Sequence, residues 1–246
     1  MQPFSILLGL GVLLGLLMTV WRVPEKETSH YLDAALWVLL GALVGGRLMT
    51  VAVNFNYYQS HAGEIVQVWQ GGLSGIGAMT GGMLMIFILA LWSKYPAGTL
   101  ADALLPLAGA VTITAWLGCW VDSCSYGYTS EQWWALPRRD EWGVSANRVP
   151  VQLIGATLTL VIIWLLDWAA KRISIPGLMA AIGLFGLSTV LFLLSYLRAD
   201  PTPIWKGLRL EAWGAIGLMI FSLIVLVVLL LRKKFGKRDE RGDLPG

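Results

Sequence analysis

The stretch AWGAIGLMIFSLIVLVVLLL, from Ala212 to Leu231, decides the fold because it carries no charged residue along its whole length. A helix needs about 20 mainly apolar residues to cross the ~30 Å hydrocarbon core of a bilayer. The stretch therefore predicts a transmembrane helix, and the basic residues that follow it predict its end.

Toward the N-terminus, further segments meet the same criterion. They are Phe4–Trp21, Tyr31–Val53, Gly72–Trp92, Leu100–Val121, Val149–Ala170 and Ile175–Leu197. The first of them lacks the basic residues before it and the small-residue site after it that mark a cleavable signal peptide. The sequence thus predicts an all-α integral membrane protein with seven transmembrane helices. It forms one domain over residues 1–231, followed by a basic cytoplasmic tail over residues 232–246.

The composition supports this class of protein. Of the 246 residues, 57% are hydrophobic and 13% are charged, whereas soluble domains carry roughly 25% charged residues. A chain with so few charges cannot cover a water-facing surface, and it is too apolar to remain disordered. Soluble and disordered proteins are therefore excluded.

The basic residues of the loops predict the orientation, because cytoplasmic loops are enriched in Lys and Arg. One side carries the basic tail residues Arg232, Lys233, Lys234, Lys237, Arg238 and Arg241 in addition to several loop cations. The other side carries only Arg138, Arg139, Arg148, Arg198, Lys206 and Arg209. We therefore expect the N-terminus outside and the C-terminus inside, with the two longest loops, 54–71 and 122–148, facing outward.

Arg47 lies inside the second apolar segment. A charge at membrane depth is costly, so it must extend to the interface, form a pair or face a polar cavity. Two interpretations remain open: the side chain extends along the helix to the interface, or its guanidinium holds a phosphate.

A glycine-rich stretch, WQGGLSGIGAMTGG at residues 69–82, leads into the third apolar segment. Small residues allow membrane helices to pack closely. Alternatively, backbone N–H groups at Gly71, Gly72 and Ser74 could meet a phosphate at the start of the helix. The sequence leaves both interpretations open.

Further polar residues lie at the ends of the later segments. Arg148 and Gln152 share one helix face at the start of the fifth segment, because residues four apart on a helix are neighbours. Arg198 follows the sixth segment, where a cation could interact favourably with the helix dipole. Arg209 and Glu211 precede the seventh and could form a surface ion pair.

The two histidines, His30 and His61, and the two cysteines, Cys119 and Cys124, lack the spacing of a zinc site. His61 lies in an outward loop, and an imidazole can accept a proton near neutral pH. The cysteines form a disulfide if both reach the oxidising side of the membrane; otherwise they pack as two small residues near a helix end.

Motifs in a fixed order connect these residues to a known family. They are GGRL at 45–48, WQGGLS at 69–74, GCWVDSCSYG at 118–127, RVPVQL at 148–153, RADP at 198–201 and GLRL at 207–210. Together with the seven predicted helices and their orientation, they resemble bacterial prolipoprotein diacylglyceryl transferases along most of the chain.

The resemblance implies an activity: transfer of the diacylglyceryl group of phosphatidylglycerol to the thiol of a lipobox cysteine in a pre-lipoprotein. Such a reaction requires a thiolate nucleophile, cations around the phosphate leaving group and a cavity that holds both substrates together. It implies no metal and no organic cofactor.

The chain departs from the family pattern at five positions. Ile76 stands in place of the family's histidine, Trp116 in place of an arginine and Gly155 in place of a glutamate. Leu191 and Ser195 replace an arginine and a glutamate of the sixth segment. These changes predict either altered catalysis or none.

On this basis we expect three residues to be catalytic: Arg47, Arg148 and His61. We expect six to bind substrate: Gly71, Gly72, Ser74, Gln152, Arg198 and Arg209. The expected partners are phosphatidylglycerol or another anionic phospholipid and the signal peptide of a pre-lipoprotein, with no nucleic acid. The expected location is the bacterial plasma membrane.

Two alternatives remain. The five departures favour a family member that binds lipid or lipoprotein without catalysis. An unrelated channel or transporter is the other, since an arginine at membrane depth also occurs in such proteins.

Overall fold

The structure is a computed structural model that describes residues 3–92, 95–140, 142–173 and 175–242, without the side chains of Gln70 and residues 235–242. Across these residues, seven helices are long and apolar enough to cross a membrane. They are α1 (Pro3–Arg22), α2 (Thr28–Val53), α4 (Gly75–Trp92), α5 (Ala97–Asp122), α6 (Val151–Ala170), α7 (Leu178–Ser195) and α8 (Leu210–Gly242). The predicted fold class is therefore confirmed, and the orientation of the termini stays a prediction.

Glycines with positive φ set two helix starts later than the sequence indicated. α4 begins at Gly75 because Gly71 and Gly72 have φ of 90° and 71°, and α7 begins after Gly177, whose φ is 86°. These values lie in the left-handed region, which glycine adopts without steric cost. At the other end of the chain, α8 continues to Gly242. The domain boundary at residue 231 stays a prediction, and residues 243–246 lie outside the described part.

Irregular segments and short strands gather at one end of the helix bundle, which we call the hairpin end. It comprises residues 54–74, 122–150 and 196–209. It contains the short helix α3 (Phe55–Ser60), the strand pair β1 (Leu136–Arg139) and β2 (Ser145–Arg148), and the pair β3 (Ile204–Trp205) and β4 (Leu208–Arg209). The last two segments are joined by an antiparallel bridge between Gly127 and Arg198. All the predicted site residues lie in or beside this end, including Arg47 of α2, whose side chain contacts the 54–74 segment.

Helices α2 and α4 pack with their backbones in contact. A Cβ atom on Gly45 or Gly77 would overlap the carbonyl oxygen of the other residue, and a Cβ on Gly81 would overlap the carbonyl oxygen of Gly41. In a bilayer, helices associate mainly through such close van der Waals packing. The glycines of the 69–82 stretch beyond Gly75 thus serve helix packing.

At the opposite end, Asp102 of α5 caps the start of α7. Its carboxylate accepts hydrogen bonds from the backbone N–H groups of Gly177 (2.6 Å) and Ala180 (2.7 Å). The first N–H groups of a helix have no partner within the helix, so a side chain from a neighbouring helix satisfies them here. The contact fixes α7 against α5.

We expect Asp102→Ala to destabilise the protein by about 2 kcal/mol, because the loss of a capping side chain typically costs ~1 kcal/mol and the N–H groups left unpaired are partly buried. The free energy of unfolding is measured by adding SDS stepwise to the protein in detergent micelles. Asp102→Asn is the matched control, since it keeps one acceptor oxygen and should lose about half as much. Equal stability of all three proteins would contradict the capping role.

Candidate functional site

Arg47 is buried, and its guanidinium binds the backbone of the 61–74 loop. Its Nε donates to the carbonyl of Ile65 (2.9 Å), and its Nη1 donates to the carbonyls of Gly71 (2.8 Å) and Gly72 (3.2 Å). Its Nη2 donates to the carbonyl of Glu64 (2.5 Å). The side chain therefore neither extends to open solvent nor presents a free fork to a phosphate. It anchors the loop to α2 and leaves one N–H donor for a ligand.

The left-handed Gly71 and Gly72 make this contact possible, because their backbone turns both carbonyls toward Arg47. Ser74 directly precedes α4 and caps its first turn. Its Oγ accepts a hydrogen bond from the N–H of Gly77 (3.2 Å), and its own N–H donates to the carbonyl of Gly46 (3.1 Å). The two glycines contribute carbonyls to the loop anchor, so the idea that their N–H groups bind a phosphate stays a prediction.

Arg148 ends β2 in a buried ion pair. Its Nη2 lies 3.0 Å from Oδ2 of Asp140, both side chains are about 8% exposed, and the guanidinium lies 4.8 Å from the ring centroid of Tyr126. Its Nη1 donates weakly to the carbonyl of Gly127 (3.4 Å), and its Nε is buried without a hydrogen-bond partner. The charge of Arg148 is thus neutralised, while its buried Nε donor has no partner.

Gln152 is almost completely buried in the first turn of α6, and its Nε2 donates to the carbonyl of Cys124 (2.7 Å). Cys124 and Cys119 form a disulfide bond at the end of α5. The sequence left open whether the two cysteines form a disulfide or pack as small residues, and the structure shows the disulfide. It uses both cysteines of the chain. Gln152 and the disulfide together fix the chain that leaves α5.

The contacts of Arg198 and Arg209 differ from those that the sequence predicts. Arg198 binds Asp200 through two hydrogen bonds (2.8 and 2.6 Å) and Glu211 through a third (2.6 Å). Arg209 lies 3.1 Å from Asp200 instead of pairing with Glu211. The expected Arg209–Glu211 pair is therefore wrong, and so is a role for Arg198 limited to the helix dipole. Burial lowers the pKa of Arg198, but the hydrogen bond and charge of Asp200 and the charge of Glu211 outweigh it and raise that pKa.

His61 lies on the surface of the hairpin end, away from the buried arginines. Its ring stacks on Tyr57 at 4.3 Å between centroids, and its Nδ1 lies 3.0 Å from the carbonyl of Tyr57. The hydroxyl of Tyr57 donates to Glu64 (2.8 Å), the residue whose carbonyl binds Arg47. His61 is thus connected to the Arg47 anchor through Tyr57 and Glu64, and its role as a base stays a prediction.

The positions where the chain departs from the family pattern pack together as apolar core. Trp116 is buried against Gly155: a Cβ on Gly155 would lie 2.5 Å from the indole Cε2. Ile76 packs against Gly214 of α8 in the same way, since a Cβ on Gly214 would lie 2.6 Å from its Cγ2. Leu191 contacts both groups. The volume expected to hold polar catalytic groups is therefore filled by side chains.

Ser195 is the one polar residue among these positions. It is buried, and its hydroxyl donates to the carbonyl of Phe192 (2.6 Å) within its own helix. Its hydrogen-bonding capacity is thus used locally, and it adds no polar group to a cavity.

The site residues fall into two groups at the hairpin end. One is the Arg47 anchor with Gly71, Gly72, Ser74 and, through Tyr57 and Glu64, His61. The other is connected by the Gly127–Arg198 bridge and contains the second set of predicted residues: Arg148, Gln152, Arg198 and Arg209.

Sequence reasoning missed the acidic partners and two further arginines. Asp140 and Asp200 neutralise the predicted arginines. Arg138 and Arg139 contributed only to the predicted orientation, although a basic pair in a tryptophan-rich segment is a signal for an interfacial site. Asp140 could not be paired with Arg148 in advance, because the register of two four-residue strands is not visible in their sequence.

The seven apolar helices define a multi-pass helical membrane protein, and the predicted site residues lie in or beside its hairpin end. The family model for prolipoprotein diacylglyceryl transferase matches residues 1–228. The chain therefore belongs to the prolipoprotein diacylglyceryl transferase family.

Relatives that carry this name match most of the chain. A phosphatidylglycerol–prolipoprotein diacylglyceryl transferase of Streptomyces griseus is 29% identical, over 92% of this chain and 71% of the relative. Those of Bifidobacterium longum and Synechococcus elongatus are 25% and 27% identical, over 98% and 92% of this chain and 84% and 79% of the relatives. The family and these names indicate a transferase.

Proposed function

We propose that the chain transfers the diacylglyceryl group of phosphatidylglycerol to the cysteine thiol of a pre-lipoprotein signal peptide in the bacterial plasma membrane. The thiol sulfur forms a bond to the terminal glyceryl carbon, the bond between that carbon and the phosphate oxygen breaks, and glycerol 1-phosphate leaves. The thiol proton passes to a base. The observation that carries the proposal is the family match over residues 1–228.

The hairpin end is the proposed place of the reaction, with the N-terminus outside and the C-terminus inside. The disulfide supports this orientation, since disulfides persist on the oxidising side of a membrane. Arg47 holds the Gly71–Gly72 loop in place, and the buried Nε of Arg148, which has no hydrogen-bond partner, is the proposed donor to the phosphate. The other proposed substrate-binding residues are Gly71, Gly72, Ser74, Gln152, Arg198 and Arg209, the last two being held in place by their ion pairs with Asp200 and Glu211.

His61 is the proposed proton acceptor, because the family's histidine position is occupied by Ile76, which is buried in apolar core. The exposed imidazole, which is connected to the Arg47 anchor through Tyr57 and Glu64, would receive the proton of an incoming thiol. A positioned base typically contributes 10²–10⁴-fold to a rate.

A second candidate function has its own observation in support: the packed apolar contacts of Ile76, Trp116, Gly155 and Leu191. A family member whose central volume is filled in this way can still bind an acyl chain or a signal peptide between its helices. We infer for this case a lipid- or lipoprotein-binding protein without catalysis.

The test is complementation. The full chain is expressed in a bacterial strain depleted of its own transferase, beside an active family member, and the membrane level of both proteins is matched. Mature lipoprotein and growth are expected for the transferase. If both are absent although the protein is folded in the membrane, the transferase proposal is overturned and the binding protein is favoured. The lipid that copurifies then identifies the ligand.

We expect His61→Ala to lower lipidation by at least about 100-fold in this assay and with purified protein. His30→Ala is the matched control, because His30 is the other histidine of the chain and lies at the start of α2, at the end of that helix away from the hairpin end. Equal lipidation by the wild type and His61→Ala would remove His61 from the mechanism without affecting the proposed reaction.

A further inference from the structure

Arg138 of β1 is held over an aromatic ring rather than paired with an acid. Its guanidinium carbon lies 3.4 Å from the ring centroid of Trp120, at the end of α5, and its Nε is buried without a hydrogen-bond partner. Burial lowers the pKa of Arg138, in line with a charge that no acidic group in the described part of the chain compensates. A stacked guanidinium keeps its N–H edge free for a planar or tetrahedral anion.

A cavity of about 380 Å³ opens beside this residue, between the end of α5 and the hairpin formed by β1 and β2. It is lined by Val121, Ser123, Pro137, Arg138, Arg139 and Ser145. Among the residues that the structure describes, the lining thus contains two arginines and two serines and no acidic residue. Its volume lies within the ~300–1,000 Å³ of small-molecule sites.

These two arginines differ from the arginines that the sequence singled out. Within the described ranges, ion pairs neutralise Arg148, Arg198 and Arg209, whereas no ion pair involves Arg138 or Arg139. A guanidinium without an acidic partner matches a phosphate, because it can donate two parallel hydrogen bonds to the phosphate oxygens. Charge complementarity therefore favours a phosphorylated ligand.

The surroundings of the cavity favour a ligand that lies in a membrane. Trp133 and Trp142 of the same hairpin segment are 92% and 72% exposed, and Tyr128 and Val144 are also largely exposed. Exposed aromatic side chains at the end of a transmembrane bundle are typical of the level of the lipid headgroups. The cavity opens at this level, so a lipid phosphate can reach it from the bilayer.

We propose that the Arg138–Arg139 cavity binds the phosphate of an anionic phospholipid headgroup, at a site separate from the diacylglyceryl donor. The bound lipid holds the β1–β2 hairpin against the membrane surface. Because Asp140, directly after β1, is the ion-pair partner of Arg148, the lipid also orders the residue that holds Arg148.

The experiment compares hydrogen–deuterium exchange of residues 136–148 in the full chain, in detergent, with phosphatidylglycerol or phosphatidylcholine added at equal concentration. We expect phosphatidylglycerol to slow exchange in the wild type. The variant R138Q/R139Q should lose this protection and bind one fewer phosphatidylglycerol in native mass spectrometry, with at least tenfold weaker affinity.

Two further variants show whether the effect belongs to this cavity. Lys206→Gln is the matched control, because Lys206 also lies over a tryptophan at the hairpin end, 4.8 Å from the ring of Trp205, but outside the cavity. It should keep the protection. Arg139→Glu, at an exposed position, tests the site should R138Q/R139Q fail to fold, and it should also lose the protection.

Three outcomes would overturn the proposal: equal protection by phosphatidylcholine, equal protection by inorganic phosphate or glycerol phosphate, or unchanged lipid binding by both variants. The first would indicate apolar insertion alone, and the second a site for free phosphate. Lipidation activity is not used as a readout, so a failure of the proposed transfer reaction leaves this test unaffected.

Discussion

Arg47→Ala should lower the free energy of unfolding by about 3 kcal/mol, one of the two largest effects that we expect in this protein. The substitution removes the donors to four backbone carbonyls, those of Glu64, Ile65, Gly71 and Gly72. A buried polar group left without its partner costs about 1–3 kcal/mol, and water admitted to the loop recovers part of that cost. Titration of detergent micelles with SDS measures the change.

Limited proteolysis gives a local readout of the same prediction, because the 61–74 loop loses its attachment to α2. We expect rapid cleavage in this loop for Arg47→Ala and slower cleavage for Arg47→Lys, whose ammonium cannot reach all four carbonyls at once. If Arg47→Ala were cut no faster than the wild type, the arginine would not be anchoring the loop.

The contact between Trp116 and Gly155 should produce the second large effect. Trp116→Ala leaves a cavity in a packed core, which we expect to cost about 3 kcal/mol. Gly155→Ala places a Cβ 2.5 Å from the indole, and overpacking of this kind costs about 2 kcal/mol. In the double variant Trp116→Ala/Gly155→Ala, the new methyl group enters the vacated space, so the two changes should partly cancel.

The two single variants and the double variant form a double-mutant cycle. The measured quantity is its coupling free energy, which we expect to exceed ~1 kcal/mol. Gly217→Ala is the matched control for the glycine substitution, because a Cβ at Gly217 meets no atom within 4 Å. It should leave stability unchanged or slightly raised. Strictly additive effects of the two substitutions would contradict direct packing of Trp116 against Gly155.

The transmembrane part of the fold follows from hydropathy alone, because a bilayer allows few solutions: an apolar segment of sufficient length must form a helix whose backbone groups are satisfied internally. α8 illustrates this, since its apolar stretch carries no charge. The short strands β1 and β2 could not be predicted in this way. Their pairing depends on the Arg148–Asp140 contact and on turn geometry, and a four-residue strand carries too little pattern to indicate it.

The candidate site was predictable in its residues but not in their partners. Arg47 was identifiable because a cation at membrane depth requires an explanation, whereas its carbonyl acceptors depend on the left-handed backbone of Gly71 and Gly72. For Arg198, the acid two residues away, Asp200, binds it through a planar two-point contact. Which of two nearby acids pairs with an arginine depends on the local backbone conformation, and sequence patterns do not predict that conformation.

The Cys119–Cys124 bond has a consequence for how the protein is made. A thiol pair becomes oxidised only after it has left the reducing cytoplasm, so under the proposed orientation the bond forms after the C-terminal end of α5 has crossed the bilayer. Oxidation of the two cysteines therefore follows insertion of the first four transmembrane helices. A cell without extracytoplasmic thiol oxidation should accumulate this chain with both cysteines open to alkylating reagents, as an assembly intermediate that is inserted but unfinished.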